Sequence, residues 1–121
     1  MKVIDNSACN PLNLTVIGTG YVGLVSGVCL AECGHHVCCV DIDLEKIKSL
    51  QAGFVPIYEP GLEVLLKKNI ENKNISFTTD LNDGITKADI IMIAVGTPSN
   101  PETLAPDLKY VDAVASSIAP L

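Results

Sequence analysis

Three glycines and one aspartate are the residues whose types and spacing point most directly to a chemistry. Gly18, Gly20 and Gly23 have the G-x-G-x-x-G spacing, and Asp41 follows 18 residues after the last glycine. The first glycine permits a sharp turn, the second lets a pyrophosphate approach the main chain, and the third lets a helix pack against a strand. A carboxylate at about this separation can accept a hydrogen bond from a ribose hydroxyl. The pattern predicts a dinucleotide site, and the alternative is a glycine-rich turn that binds no ligand.

A strand must precede these glycines and a helix must follow them if they are to bind a dinucleotide. The apolar run at residues 14–17 predicts a buried strand, and helical spacing of apolar residues predicts a helix over residues 21–33 that ends at Gly34. A second strand at residues 36–40 then leads into Asp41. The helix would direct its unpaired N–H groups and partial positive charge towards the pyrophosphate.

The rest of the chain continues the alternation of strands and helices. We predict a helix capped by Asp43 and ended by Gly53, a helix at 62–70, strands at 75–78 and 89–95, and a last helix at 107–118. Residues 81–87 predict a weak helix at most, because Asp83-Gly84 interrupts it. The alternation predicts an α/β fold, a Rossmann-like doubly wound parallel sheet of strand order 3-2-1-4, here incomplete.

The predicted sheet has a ligand crevice between strands one and four, beyond their carboxyl ends. Thr97 follows strand four and lies at the edge of this crevice. Its hydroxyl could contact the cofactor, or it could belong to a Thr-Pro turn that only ends the strand.

Composition restricts the classes of partner. The 121 residues carry a net charge of −6, which argues against nucleic acid and anionic membranes as partners. All eight basic residues are lysines, so the arginine that usually binds an NADP 2′-phosphate is absent. No apolar stretch is long enough to span a membrane, and no signal peptide is evident. We expect a cytoplasmic protein with a flexible leader at residues 1–11 and one domain at residues 12–121.

Five cysteines lie near two histidines and raise the possibility of a metal site. Cys29 and Cys33 are one helical turn apart and precede His35 and His36. No C-x-x-C pair occurs, and adjacent cysteines in a strand point to opposite faces. We therefore expect buried, reduced thiols and no metal.

Three further motifs make the assignment more specific. Gly20-Tyr-Val-Gly-Leu24, Pro56-Ile-Tyr-Glu-Pro-Gly-Leu62 and Val95-Gly-Thr-Pro-Ser99 resemble the amino-terminal NAD-binding domain of the UDP-glucose/GDP-mannose dehydrogenase family. The resemblance covers nearly all of the chain after Pro11 and is greatest for the UDP-glucose 6-dehydrogenases. Such enzymes oxidise UDP-glucose to UDP-glucuronate in two hydride transfers, each to one NAD, through a thioester on a catalytic cysteine.

The resemblance implies a role for several residues of this chain, with NAD as the cofactor. Tyr21 and Val22 would contact the pyrophosphate through their backbone N–H groups, and Asp41 would hold the adenosine ribose. Lys46 would lie beside the ribose, although a solvated lysine on a helix surface is the alternative. Thr97 would line the nicotinamide side.

The family's catalytic cysteine, its lysine and asparagine partners and its nucleotide-sugar domain lie further along the chain than residue 121. The resemblance therefore implies a fragment without catalytic residues, which binds NAD but does not catalyse and meets UDP-glucose only with the missing domains. Its exposed fourth strand could cause self-association. Two alternatives stay open: a stand-alone dinucleotide-binding or sensor module, or the same domain of a UDP-N-acetylmannosamine or GDP-mannose dehydrogenase.

Overall fold

The computed structural model describes residues 10–120, in which four strands form one parallel sheet of order β3-β2-β1-β4. This confirms the predicted fold class and strand order. The strands are β1 Asn13–Ile17, β2 His36–Val40, β3 Ile75–Thr78 and β4 Ile90–Ile93. The helices are α1 Tyr21–Glu32, α2 Leu44–Gln51, α3 Leu62–Glu71, α4 Leu81–Ile85 and α5 Lys109–Ile118.

The strand register brings the carboxyl ends of three strands to one level. Ile17 at the end of β1 lies opposite Val40 of β2 and Ile93 of β4. The pairing continues past the strand ends, because the Gly18 N–H donates to Val40 O at 2.8 Å and the Ala94 N–H donates to Ile17 O at 2.7 Å. The segments that leave β1, β2 and β4 therefore start side by side, as a crevice at this edge of the sheet requires.

Aliphatic side chains between the sheet and helices α1 and α3 form the core. Leu24, Val28 and Ala31 line the inner face of α1, and each is fully buried. Val16 of β1 and Leu66 of α3 are also fully buried against them. Burial of a large aliphatic side chain stabilises a fold by about 1.5–3 kcal/mol, so this layer holds α1 in place on the sheet.

Two glycines let helices approach the sheet from opposite faces. A Cβ on Gly27 of α1 would lie 2.9 Å from the Cys39 sulfur, whereas a Cβ on Gly84 of α4 would collide with Val40. Cys38 and Cys39 point to opposite faces of β2, and α4 lies against the first while α1 lies against the second, so helices cover both faces of the sheet. The predicted interruption at Asp83-Gly84 is wrong, because the absence of a side chain at Gly84 allows α4 to pack closely.

The last two elements are shorter than predicted. β4 covers Ile90–Ile93 and lies at the sheet edge, where Ile90 is 48% exposed. Helix α5 begins at Lys109 instead of residue 107, because the Asp107 carboxylate accepts a hydrogen bond from the Lys109 N–H ahead of the first turn. Every residue of α5 keeps part of its surface exposed.

Candidate dinucleotide-binding site

The three motif glycines occupy positions with different requirements. Gly18 has φ +103°, and a Cβ there would lie 2.5 Å from the carbonyl oxygen of Ala94. A Cβ on Gly23 would collide with the Gly18 carbonyl, because α1 packs directly against the turn. A Cβ on Gly20 would meet no atom of residues 10–120 within 4 Å. Packing thus requires Gly18 and Gly23, while the open space at Gly20 is where a pyrophosphate could approach the backbone.

The amino end of α1 adjoins this open space. Gly20 is the N-cap, no side chain within residues 10–120 caps it, and the first turn carries no acidic residue. The first helical hydrogen bond runs from the Leu24 N–H to Gly20 O at 2.9 Å, so the N–H groups of Tyr21 and Val22 precede the helical ladder. The helix dipole adds a partial positive charge at this end of α1, which attracts a phosphate. The unpaired N–H groups and the open space beside them fit the pyrophosphate of a dinucleotide.

Asp41 lies directly after β2, beside the glycine-rich turn. Its Oδ2 accepts hydrogen bonds from the Thr19 N–H at 2.9 Å and from the Thr19 hydroxyl at 2.6 Å. Its Oδ1 accepts one hydrogen bond from the Asp43 N–H at 3.0 Å. The carboxylate is thus held against the turn by the residue between the first two glycines.

Lys46 completes the surroundings of the carboxylate. Its Nζ lies 3.7 Å from Asp41 Oδ2, and its side chain is 31% exposed. Burial raises the pKa of Asp41, but the hydrogen bonds from Thr19 and Asp43, together with the charge of Lys46, outweigh it and lower the pKa overall. The carboxylate is therefore ionised near neutral pH, and Lys46 is paired with it instead of being fully solvated.

The loop at residues 52–61 is tied to the start of α1. The Tyr21 hydroxyl donates to Glu59 Oε2 at 2.7 Å, and this hydrogen bond to a carboxylate raises the pKa of Tyr21. The loop then turns into α3 at Gly61, which has φ +84°. This hydrogen bond joins the loop that carries Glu59 to the first residue of α1.

Thr97 is the candidate residue on the segment after β4. It follows β4 by four residues and is exposed, in the segment that continues from Ala94. Within residues 10–120 no hydrogen bond or ion pair links Thr97 to Thr19, Asp41 or Lys46. Its placement after β4 agrees with the edge of the crevice, and its predicted contact with the cofactor stays a prediction.

Sequence reasoning missed two residues of this site. Thr19 occupies a position of the glycine motif where any residue is allowed. A short hydroxyl side chain between two glycines is the feature of the sequence that could have indicated its contact with Asp41. Glu59 belongs to the motif at residues 56–62, which carries the family resemblance but predicts no contact for this side chain. Its partner Tyr21 lies 38 residues away, so no local pattern reveals the pair.

The cysteines only partly match the expectation of buried thiols. Cys39 is buried, and burial raises its pKa to about 12; Cys38 is half-buried, and burial raises its pKa as well. Cys29 and Cys33 are exposed, so that expectation is wrong for them: Cys29 lies on the outer side of α1, and Cys33 is the C-cap residue that follows it. Cys9 falls outside the described residues. Among residues 10–120, no three metal-ligating side chains are grouped, and no helix is both long and apolar enough to cross a membrane.

Comparison with known proteins identifies the domain. The model for the NAD-binding domain of the UDP-glucose/GDP-mannose dehydrogenase family matches residues 12–121. The chain is 51% identical over 108 residues to UDP-glucose 6-dehydrogenase YwqF of Bacillus subtilis, covering 89% of this chain and 24% of that protein.

Solved structures agree with this match. A UDP-glucose dehydrogenase from Pyrobaculum islandicum superposes with a TM-score of 0.86 at 37% identity, over 92% of this chain and 26% of that one. A ternary complex of GDP-mannose dehydrogenase from Pseudomonas aeruginosa superposes with a TM-score of 0.83 at 39% identity, over 87% of this chain and 24% of that one. The chain thus spans about a quarter of the length of these relatives. It belongs to the UDP-glucose/GDP-mannose dehydrogenase family, and residues 12–121 correspond to that family's NAD-binding domain.

Proposed function

We propose that this chain binds NAD and forms the NAD-binding part of an oxidoreductase that converts UDP-glucose to UDP-glucuronate. The observation that carries the proposal is the Asp41 carboxylate, ionised and fixed beside the glycine-rich turn at the carboxyl end of the sheet. Such a carboxylate accepts hydrogen bonds from a ribose diol and repels a 2′-phosphate. The proposal therefore includes a preference for NAD over NADP.

Other residues of the site would bind the remaining parts of the cofactor. The backbone N–H groups of Tyr21 and Val22 would hold the pyrophosphate above the open space at Gly20. Lys46, beside Asp41, would lie at the adenosine ribose. Thr97, after β4, would line the nicotinamide side. When bound, NAD supplies the ring that accepts a hydride from the substrate alcohol.

The sugar is inferred from relatives. The UDP-glucose 6-dehydrogenase from Bacillus subtilis is 51% identical to this chain, which supports UDP-glucose. The solved structures do not separate the sugars, since the UDP-glucose dehydrogenase is 37% identical and the GDP-mannose dehydrogenase 39%, so the same domain of a GDP-mannose or UDP-N-acetylmannosamine dehydrogenase stays the alternative. Within the 121 residues we assign no catalytic residue, so catalysis and UDP-glucose binding require the rest of such an enzyme. A stand-alone NAD-binding module would share this site and lack turnover.

A charge-matched pair of variants tests the proposal. Asp41→Ala should weaken NAD binding by about 1–3 kcal/mol, because it removes a charged hydrogen-bond acceptor. Asp43→Ala is the control, since it removes the same charge two residues away. Asp43 caps α2 through its side chain, but its contact with Asp41 uses the backbone N–H and is kept. Calorimetric titration with NAD measures the affinity of both variants for the cofactor.

The two variants give distinct outcomes. We expect the Asp43→Ala chain to melt at a lower temperature, by loss of a helix cap worth about 1 kcal/mol, and to bind NAD as before. Equal NAD affinity in the Asp41→Ala chain and the unmodified chain would contradict the role of Asp41. Equal affinity of the unmodified chain for NAD and NADP would contradict the proposed cofactor preference.

The remaining expectations about partners and location belong to the same proposal. The net charge of −6 supports the absence of nucleic-acid and anionic membrane partners. We also propose a cytoplasmic location, which fractionation of cells that express the chain would test.

A further inference from the structure

We propose that Thr19 is a positioning residue that fixes the Asp41 carboxylate and leaves Oδ1 as the oxygen that accepts the ribose hydroxyl. The inference rests on the proposed NAD-binding function. It adds a residue that does not itself touch the cofactor and that the glycine motif leaves unspecified.

Thr19 donates two hydrogen bonds to one oxygen of the Asp41 carboxylate. Its N–H and its hydroxyl both reach Asp41 Oδ2, at 2.9 and 2.6 Å. Thr19 is 1% exposed, so its hydroxyl is held in the interior and shielded from water. Two short hydrogen bonds from one buried residue define the orientation of the carboxylate.

The two carboxylate oxygens differ in their remaining capacity. A carboxylate oxygen accepts about two hydrogen bonds. Oδ2 already receives both from Thr19, and Lys46 Nζ lies 3.7 Å from the same oxygen. From the part of the chain that the structure describes, Oδ1 receives only the Asp43 N–H, at 3.0 Å. One lone pair of Oδ1 is therefore left for a ligand, and the Asp41 side chain is 13% exposed, which leaves it accessible.

Lys46 does not replace Thr19 in this role. Its separation of 3.7 Å from Oδ2 exceeds hydrogen-bond distance, and a lysine on a long flexible stem attracts a carboxylate without fixing its rotation. Without the Thr19 hydroxyl, the carboxylate would keep its charge but gain rotational freedom. A ligand would then have to order it on binding, at a cost in affinity.

A double-mutant cycle on the 121-residue chain tests this inference. Thr19→Val removes the hydroxyl and keeps the branched shape, whereas Thr19→Ser keeps the hydroxyl. We expect Thr19→Val to weaken NAD binding about five-fold, the equivalent of one net hydrogen bond, and Thr19→Ser to retain the affinity. In the Asp41→Ala background, Thr19→Val should change NAD affinity no further, because Thr19 acts only through that carboxylate.

Several results would overturn the inference. One is undiminished NAD affinity in Thr19→Val, and another is the same loss in both backgrounds, which indicates a general structural role. If Thr19→Val does not fold, as shown by its thermal unfolding curve, Thr19→Ala carries the same expectations, because it removes the hydroxyl without adding bulk. Failure of the unmodified chain to bind NAD would refute the proposed function and this inference together; normal binding with an unaffected Thr19 variant refutes the inference alone.

Discussion

Alanine substitutions at two glycines of the same motif should separate binding from folding. A Cβ on Gly23 would collide with the backbone carbonyl of Gly18, while a Cβ on Gly20 would meet no atom of the described residues within 4 Å. We therefore predict that Gly23→Ala destabilises the chain, and that Gly20→Ala leaves it folded but weakens NAD binding. The two substitutions add the same methyl group three residues apart.

The magnitudes follow from these surroundings. Overpacking costs about 1–3 kcal/mol, and at Gly23 the obstructing atom belongs to the backbone and cannot rotate away. The higher helix propensity of alanine returns at most about 1 kcal/mol. A net loss of about 1–2 kcal/mol would lower the melting temperature by roughly 4–10 °C for a domain of this size. Gly20 has φ −71°, which alanine adopts freely, so its stability should change by less than about 1 kcal/mol.

Thermal unfolding followed by circular dichroism, combined with calorimetric titration with NAD, measures both effects. Gly20→Ala should melt near the unmodified chain and lose at least about ten-fold in NAD affinity, or about 1.4 kcal/mol, because its methyl group occupies the space for the pyrophosphate. Undiminished NAD binding by Gly20→Ala would refute the assignment of that space to the ligand. A Gly23→Ala chain as stable as the original would refute the packing argument.

Three further predictions concern acid stability, the sheet edge and the loop. The pKa of Asp41 is lower in the folded chain than its ordinary value of 3.8, so the ionised carboxylate stabilises the fold above that value. This stabilisation is lost as the pH falls through the lower pKa of the folded state. Asp41→Asn should therefore reduce the pH dependence of the unfolding free energy below about pH 4, as measured by urea titrations. Because β4 presents an apolar edge, Ile90→Lys should increase the fraction of monomer measured by sedimentation velocity. The control Val64→Lys, at an exposed position on α3, should leave that fraction unchanged. Equal effects of the two variants would count against association through the edge. Glu59→Gln should lower the pKa of Tyr21 towards 10.0 in an NMR titration, and an unchanged value would indicate that their hydrogen bond is not formed in solution.

Strand order and the position of the glycine-rich turn could be predicted because they depend on local signals. Apolar runs define β1, which ends at Gly18, and β2, which starts shortly after Gly34. The handedness of crossovers then restricts the strand order to few possibilities. The separation of the glycine motif and Asp41 along the chain predicts that the glycine-rich turn and the carboxylate meet at the carboxyl edge, since parallel neighbours end at the same level. The structure has this arrangement.

Contacts between distant segments could not be predicted in the same way. The Thr19 hydroxyl and the Asp41 carboxylate form a hydrogen bond that depends on where the fold places both side chains, and the residue type at position 19 alone does not reveal this bond. The partner of Tyr21 lies on a loop whose path depends on tertiary packing. Gly84 suggested a broken helix because its helix propensity is low, but close packing on Val40 outweighs that propensity. In each case a long-range contact overrides a local tendency.

The measurement that tests the central claim most directly is a calorimetric titration of the 121-residue chain with NAD, and separately with NADP. The ionised Asp41 carboxylate, held by Thr19 beside the open space at Gly20, predicts binding of NAD and at least ten-fold weaker binding of NADP, about 1.4 kcal/mol. A folded chain that binds neither cofactor, or binds both equally, would contradict the assignment of this site to NAD.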